Sequence, residues 1–160
     1  MATFTHILVP TDFGEASGRA LDLALTLAEN FGSKLTIFHA YALEGFGYAD
    51  GIALPSLIEE LTRGAQSKLD DAVRDAKQRY AKAEGLLAWG VPWSEILEAA
   101  RTCGADLIVM GTHGRRGISR VFLGSVAEKI VRLSPAPVLS VSSKQNQVSK
   151  EALPLQTPNG

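Results

Sequence analysis

The chain has 160 residues, 46% of them hydrophobic and 21% charged, with a formal net charge of -1. One globular domain with a real core fits that length and composition, and the near-neutral balance gives no electrostatic basis for nucleic acid or an anionic membrane as main partner. The single cysteine, Cys103, excludes an internal disulfide, which suits a reducing compartment. Met1 to His6 lacks a charged region followed by an apolar stretch, and no apolar run reaches the roughly 20 residues that span a bilayer. A soluble, cytoplasmic protein is expected.

Phe4 to Pro10 (FTHILVP) is a short apolar run rich in β-branched residues and predicts a buried strand. Ala20, Leu23, Ala24, Leu27, Ala28 and Phe31 then recur at helical spacing, and Gly32 supplies a stop. Lys34 to Tyr41 predicts a second strand, and a loop rich in Gly, Tyr and Ala runs from Leu43 to Pro55. A long helix follows, with the stripe Leu61, Ala65, Leu69, Ala72, Ala76, Tyr80 and Ala83. Leu86 to Trp89 predicts a brief third strand. Pro92 suits the first turn of the next helix, with Ile96, Leu97 and Ala100 inward and Gly104 past its end. Asp106 to Met110 (DLIVM) is the strongest buried-strand run. A glycine-rich loop, a helix through Val126, Ile130 and Leu133, and a last strand in Pro137 to Val141 complete the order.

Strands alternating with helices predict parallel strands joined by right-handed crossovers. The expected fold is α/β, a doubly wound, Rossmann-like, five-stranded parallel sheet with helices on both faces. Residues 1–142 are expected to form this domain, and 143–160, polar and without period, a flexible tail. Such a sheet binds its ligand beyond the carboxyl ends of its strands, where successive crossovers go to opposite sides. Strand one ends there in Pro10-Thr11-Asp12, and strand four in Met110-Gly111-Thr112-His113-Gly114-Arg115-Arg116. Gly124-Ser125-Val126 opens the last long helix.

The glycine-rich segment has a chemical logic. Gly111 and Gly114 let backbone approach a ligand and admit positive φ. Successive N–H groups in such a loop form an anion site, and a helix amino terminus at Gly124 and Ser125 adds donors and a favourable dipole for phosphate. Arg115 and Arg116 would screen phosphate from the rim. Asp12 repels phosphate, so its better partners are ribose hydroxyls or an adenine amine; capping the next helix is a second use, compatible with the first. The alternative readings are turn residues for the glycines, a solvated rim for the arginines and a loop residue for His113. His6 and His39 fall within strand patterns as hydrogen-bonded structural residues. No His or Cys pair has the spacing of a protein-bound zinc site.

Gly111-x-x-Gly114, nine intervening residues, then Gly124-Ser125 resembles the nucleotide-binding signature of the universal stress protein family, in its ATP-binding subgroup. HILVPTDF, DLIVMGTHGR, LGSVAEKIV and PAPVLSV resemble the family in order and position, over roughly residues 3 to 142. The resemblance implies one ATP or AMP site, with Mg2+ held chiefly by the nucleotide's phosphates. It places Pro10, Thr11 and Asp12 at the nucleoside, Ala40 just after strand two against adenine, and Met110 and Gly111 at base and ribose. Gly114, Arg115, Gly124, Ser125 and Val126 would surround the phosphates, and His113 and Arg116 of the same loop are included as candidate nucleotide-binding residues. It also implies a homodimer through the last strand (Val138, Leu139, Ser140, Val141). In one departure from the family, the stretch around Glu84 to Gly90 predicts a third strand shorter than the usual one.

No run of the form GxxxxGK with Ser or Thr occurs, the turn after strand one is not GxGxxG, and no second carboxylate accompanies Asp12. Parts for phosphoryl transfer are therefore sparse, and no catalytic residue is assigned. The expected function is a nucleotide-binding stress or signalling module, working by nucleotide-dependent conformation or partner binding. A slow ATPase and a nucleotide-free dimeric adaptor are the alternatives.

Overall fold

The computed structural model describes residues 3–42, 54–112 and 123–142. Strand β1 (His6–Pro10) is buried at every position, as a central strand covered on both faces must be. Helix α1 (Glu15–Phe31) ends at Gly32, which takes φ 70° and returns its N–H to the Ala28 carbonyl. Strand β2 (Lys34–Tyr41), helix α2 (Leu54–Arg79), strand β3 (Ala83–Trp89) and helix α3 (Pro92–Cys103) follow. Pro92 opens α3 and Gly104 closes it at φ 67°. Strand β4 (Leu107–Gly111), helix α4 (Ser125–Leu133) and strand β5 (Val138–Val141) complete the order.

All four pairings are parallel, and the sheet order is β3-β2-β1-β4-β5. The chain steps outward from β1 to β3, crosses back, and steps outward again from β4 to β5. Reversing direction with a constant crossover hand must move the helices to the other face. They do move: Ile7, Val9, Leu35, Ile37, Leu107 and Val109 pack with residues of α1 and α2, whereas Leu8, Phe38, Ile108 and Met110 pack with residues of α3 and α4. Alternate strand residues feed the two halves of the core, as the period of two requires.

Four expectations are corrected. Strand β3 is not brief: its seven residues pair with β2 from Leu35↔Ala83 to Tyr41↔Trp89. Ala-Glu-Gly has little strand propensity, but Gly85 lies where a β-carbon would meet Val73 Cγ2 at 2.8 Å. Helix α2 thus leans directly on the strand. Ala83 belongs to β3 rather than to the α2 stripe, since α2 ends at Arg79. On α1 the buried face is Ala16, Ser17, Ala20, Ala24, Leu25 and Ala28. Small residues let the helix sit close to the sheet, and Leu23 and Phe31 stand at its flanks, 36% and 37% exposed. On α4, Ala127 and Ile130 are buried and Leu133 is exposed.

Polar tethers secure the amino ends of the strands. The Asp106 carboxylate accepts the backbone N–H groups of Thr5 (2.8 Å) and His6 (3.0 Å) and the Thr5 hydroxyl (2.7 Å). His6 Nδ1 donates to the Cys103 carbonyl at 2.8 Å, and its Nε2 lies 2.8 Å from the Thr36 hydroxyl. Thr36 in turn lies 3.0 Å from Glu84. Both histidines within strands, His6 and His39, are hydrogen-bonded.

Candidate functional site

The order of strands puts the change of crossover direction between β1 and β4. Their registered pairing consists of Ile7↔Leu107 and Leu8↔Ile108, so it stops before either strand ends. Beyond it lie Val9 and Pro10 on one side and Val109, Met110 and Gly111 on the other. An open sheet places its ligand crevice at this point.

The first wall is the turn from β1 into α1. Thr11 N–H donates to the Phe38 carbonyl at 2.8 Å, extending the ladder by one residue. Phe13 then adopts φ +61°, uncommon for a residue with a bulky side chain and costing about 1–3 kcal/mol that its surroundings must offset. Hydrogen bonds wind the turn tightly. Phe13 N–H donates to Thr11 Oγ1 at 3.0 Å, and Gly14 N–H to Asp12 Oδ1 at 2.9 Å. The Ser17 hydroxyl donates to the same Asp12 oxygen at 2.7 Å. Asp12 therefore braces the turn into α1 through Gly14 and Ser17, with its carboxylate at the carboxyl end of β1. It does not cap the helix as expected: the N-cap is Gly14, and no side-chain cap hydrogen bond is made there.

The second wall is the end of β4. Met110 is buried and Gly111 half-buried. Gly111 has a packing reason to be glycine: a β-carbon there would lie 2.8 Å from both the carbonyl carbon and the Cβ of Ala16 and 2.9 Å from the Ser17 nitrogen. Among the described glycines, positive φ occurs at Gly32, Gly90 and Gly104. Close approach of helix α1, rather than an unusual backbone angle, sets the residue at 111.

Thr112 ties three elements together. Its N–H donates to the Val141 carbonyl at 2.9 Å, and its carbonyl accepts the Gly124 N–H at 2.7 Å. The second bond brings the start of α4 against the end of β4. Gly124, at φ -61° and ψ 153°, precedes the first helical residue, Ser125, and its carbonyl accepts the Glu128 N–H at 2.8 Å. The leading N–H groups of a helix have no partner within it, and in a parallel sheet the helix after β4 starts at the carboxyl edge. Ser125 is exposed, and Val126 is half-buried against the core under α3 and α4. The amino ends of α1 and α4 thus flank the β1–β4 gap from opposite faces, a favourable field for an anion.

Of the residues expected at the site, Pro10, Thr11, Asp12, Met110, Gly111, Gly124, Ser125 and Val126 come together at this edge. Ala40 lies within β2, which runs on to Tyr41, and pairs with Ala88; it does not follow the strand as expected. His113, Gly114, Arg115 and Arg116 lie outside the described residues, as does most of the Leu43–Pro55 loop. Three contributors to the turn are additions: Phe13, Ser17 and His39. His39 Nδ1 lies 2.8 Å from the Thr11 carbonyl, and its ring stands 4.5 Å from that of Phe13. A serine five residues after Asp12, in the first helical turn, was the readable signal for one of them. Among the described residues, no group of three His, Cys, Asp or Glu side chains could hold a metal ion, and no helix is long and apolar enough to cross a membrane.

Comparison with known proteins follows the same residues. The model of the universal stress protein family matches residues 3–142. Universal stress protein YxiE of Bacillus subtilis (strain 168) is 33% identical over 146 residues, covering 86% of this chain and 99% of its own. The solved universal stress protein UspA from Lactobacillus plantarum superposes with a TM-score of 0.77 at 26% identity, over 88% of this chain and 99% of that one. A universal stress protein solved in complex with cAMP gives a TM-score of 0.64 at 26% identity, over 89% and 100% of the two chains.

Proposed function

The chain belongs to the universal stress protein family, and on that premise we propose that the crevice between β1 and β4 binds an adenine nucleotide, ATP or AMP. The bound nucleotide alters conformation or partner contacts, and the protein acts as a stress-response or signalling module. The observation that carries this reading is the 2.7 Å bond from Gly124 N–H to the Thr112 carbonyl. It sets a helix amino terminus beside the gap where β1–β4 pairing has stopped. Phosphate takes the donors at the start of α4, with His113, Gly114, Arg115 and Arg116 completing the loop. Asp12 accepts from ribose hydroxyls or the adenine amine, and Ala40, Met110 and Gly111 border the base and ribose. The cAMP bound by one structural neighbour carries the same three parts: adenine, ribose and phosphate. Magnesium accompanies ATP through phosphate oxygens.

We further propose a homodimer through β5. That strand is a sheet edge, Leu139 on it is 38% exposed, and an unpaired apolar edge invites pairing.

Calorimetric titration with ATP and magnesium tests the site. The expected result is saturable binding near one nucleotide per chain, abolished by Gly114→Val and weakened by Asp12→Ala. Absence of heat from folded protein cleared of co-purified nucleotide would sink the reading and leave the nucleotide-free adaptor.

A further inference from the structure

The residue that shapes the Asp12 turn lies on a different strand. A carbonyl oxygen only accepts hydrogen bonds, so the 2.8 Å contact between His39 Nδ1 and the Thr11 oxygen fixes the proton on Nδ1. Thr11 is thereby held on both sides of its peptide, its N–H by the Phe38 carbonyl and its carbonyl by His39. The His39 ring also lies against the Phe13 ring, with centroids 4.5 Å apart and planes at 51°. Phe13 is the one described non-glycine residue with positive φ. A residue in that region persists only where its surroundings over-determine it. One side chain thus grips the residue before Asp12 through a hydrogen bond and the residue after it through ring contact.

We propose that His39 is a positioning residue for the nucleotide site, fixing the direction of the Asp12 carboxylate from β2. The proposal rests on the nucleotide reading above and deepens it. The role assigned to His39 is to shape the turn, through Thr11 and Phe13, rather than to contact the ligand. It pre-organises the acceptor, so that binding does not have to order the turn. The chemistry required at position 39 is a donor at the Nδ1 place and a flat group against Phe13.

Two conservative replacements separate that role from bulk. The Asn side-chain amide puts its NH2 close to where Nδ1 stands, whereas Gln puts it close to where Nε2 stands. Isothermal titration with AMP is expected to show His39→Asn within about threefold of wild type and His39→Gln weakened about tenfold. Amide hydrogen exchange on the unliganded proteins supplies a second readout. The Phe13 and Gly14 amides, both bonded within the turn, are expected to exchange about tenfold faster in His39→Gln and near the wild-type rate in His39→Asn. The β4 amides should be unchanged in both, which certifies the fold. Equal AMP affinity in His39→Gln and wild type, or unchanged exchange at Phe13 and Gly14, overturns the proposal. Wild-type protein that binds no AMP overturns the nucleotide reading and the positioning role with it. Exchange at the turn would then tell that failure apart from a failure of the His39 geometry.

Discussion

The backbone of Gly111 approaches that of Ala16 so closely that a single added methyl would stand 2.8 Å from the Ala16 carbonyl carbon. This contact couples the end of β4 to the first turn of α1, the turn that Asp12 secures through Gly14 and Ser17. Helix α1 is therefore seated by the very strand end that forms the other side of the crevice.

Gly111→Ala should act on both stability and binding. The obstructing atoms are backbone atoms of Ala16 and Ser17 and the Ala16 Cβ, which no side-chain rotation moves, so relief requires moving the start of α1. Overpacking of this kind costs about 1–3 kcal/mol, to be measured by urea denaturation. Because the displaced turn carries Asp12, AMP affinity should fall as well, by about tenfold. A variant as stable and as tightly binding as wild type would show that the α1–β4 contact yields easily.

Asp106 gives the protein a defined acid sensitivity. Burial alone would raise its pKa, but hydrogen bonds from the His6 and Thr5 backbone and the Thr5 hydroxyl outweigh that and hold it below the ordinary 3.8. A carboxyl whose folded pKa is depressed adds stability that is fully present above the unfolded value. That stability is lost as pH falls through the folded value. Asp106→Asn should thus lose about 1 kcal/mol at pH 7, a modest figure because the group is largely solvent-screened. The difference from wild type should shrink as pH falls below the ordinary carboxylate value and through the depressed folded one, in parallel denaturant titrations. A gap that stays constant with pH would assign the effect to packing.

Much of this was legible in the sequence because the evidence there was redundant. The five strands, the doubly wound fold and the cluster of Asp12 with Met110, Gly111 and Gly124 to Val126 each rest on apolar runs or on glycine spacing. The losses have specific physical causes. Strand β3 was under-read because Glu84 and Gly85 are poor strand formers, and the contact of α2 with Gly85 is tertiary. The turn at Phe13 was invisible because a phenylalanine argues against positive φ. His39 looked structural, and its hold on Thr11 depends on register: Pro10 pairs with Phe38, which carries His39 to the edge beside the turn. No local pattern encodes that neighbourhood.

The hydrogen-bonded chain from buried His6 through Thr36 to exposed Glu84 offers a test away from the crevice. Thr36 is 2% exposed, and its hydroxyl stands between His6 Nε2 at 2.8 Å and Glu84 Oε1 at 3.0 Å. Thr36→Val keeps the shape and removes the hydroxyl, leaving a buried ring nitrogen without that partner. The expected loss is about 1–3 kcal/mol in thermal or chemical unfolding, with AMP affinity unchanged, since the chain crosses the amino ends of the strands. A neutral substitution would show that water replaces the hydroxyl there.

The edge strand β5 separates assembly from folding. Leu139 is 38% exposed on β5, while Val131 and Leu133, near the end of the preceding helix, are 52% and 51% exposed. Fully burying one leucine side chain is worth about 1.5–3 kcal/mol, and a charge in its place would face its symmetry mate across an isologous contact. Sedimentation equilibrium should therefore find wild type dimeric and Leu139→Glu monomeric at the same concentration. Because the side chain is already exposed in the single chain, unfolding of the monomeric variant, extrapolated to low protein concentration, should match wild type within about 0.5 kcal/mol. If Leu139→Glu remains a dimer, the partner contacts some other surface; if wild type is itself a monomer, the β5 seam is wrong. Dimer loss with AMP binding intact would make each crevice self-sufficient. Loss of both would mean that the β5 contact, through the Thr112–Val141 bond, also holds the loop leading to α4.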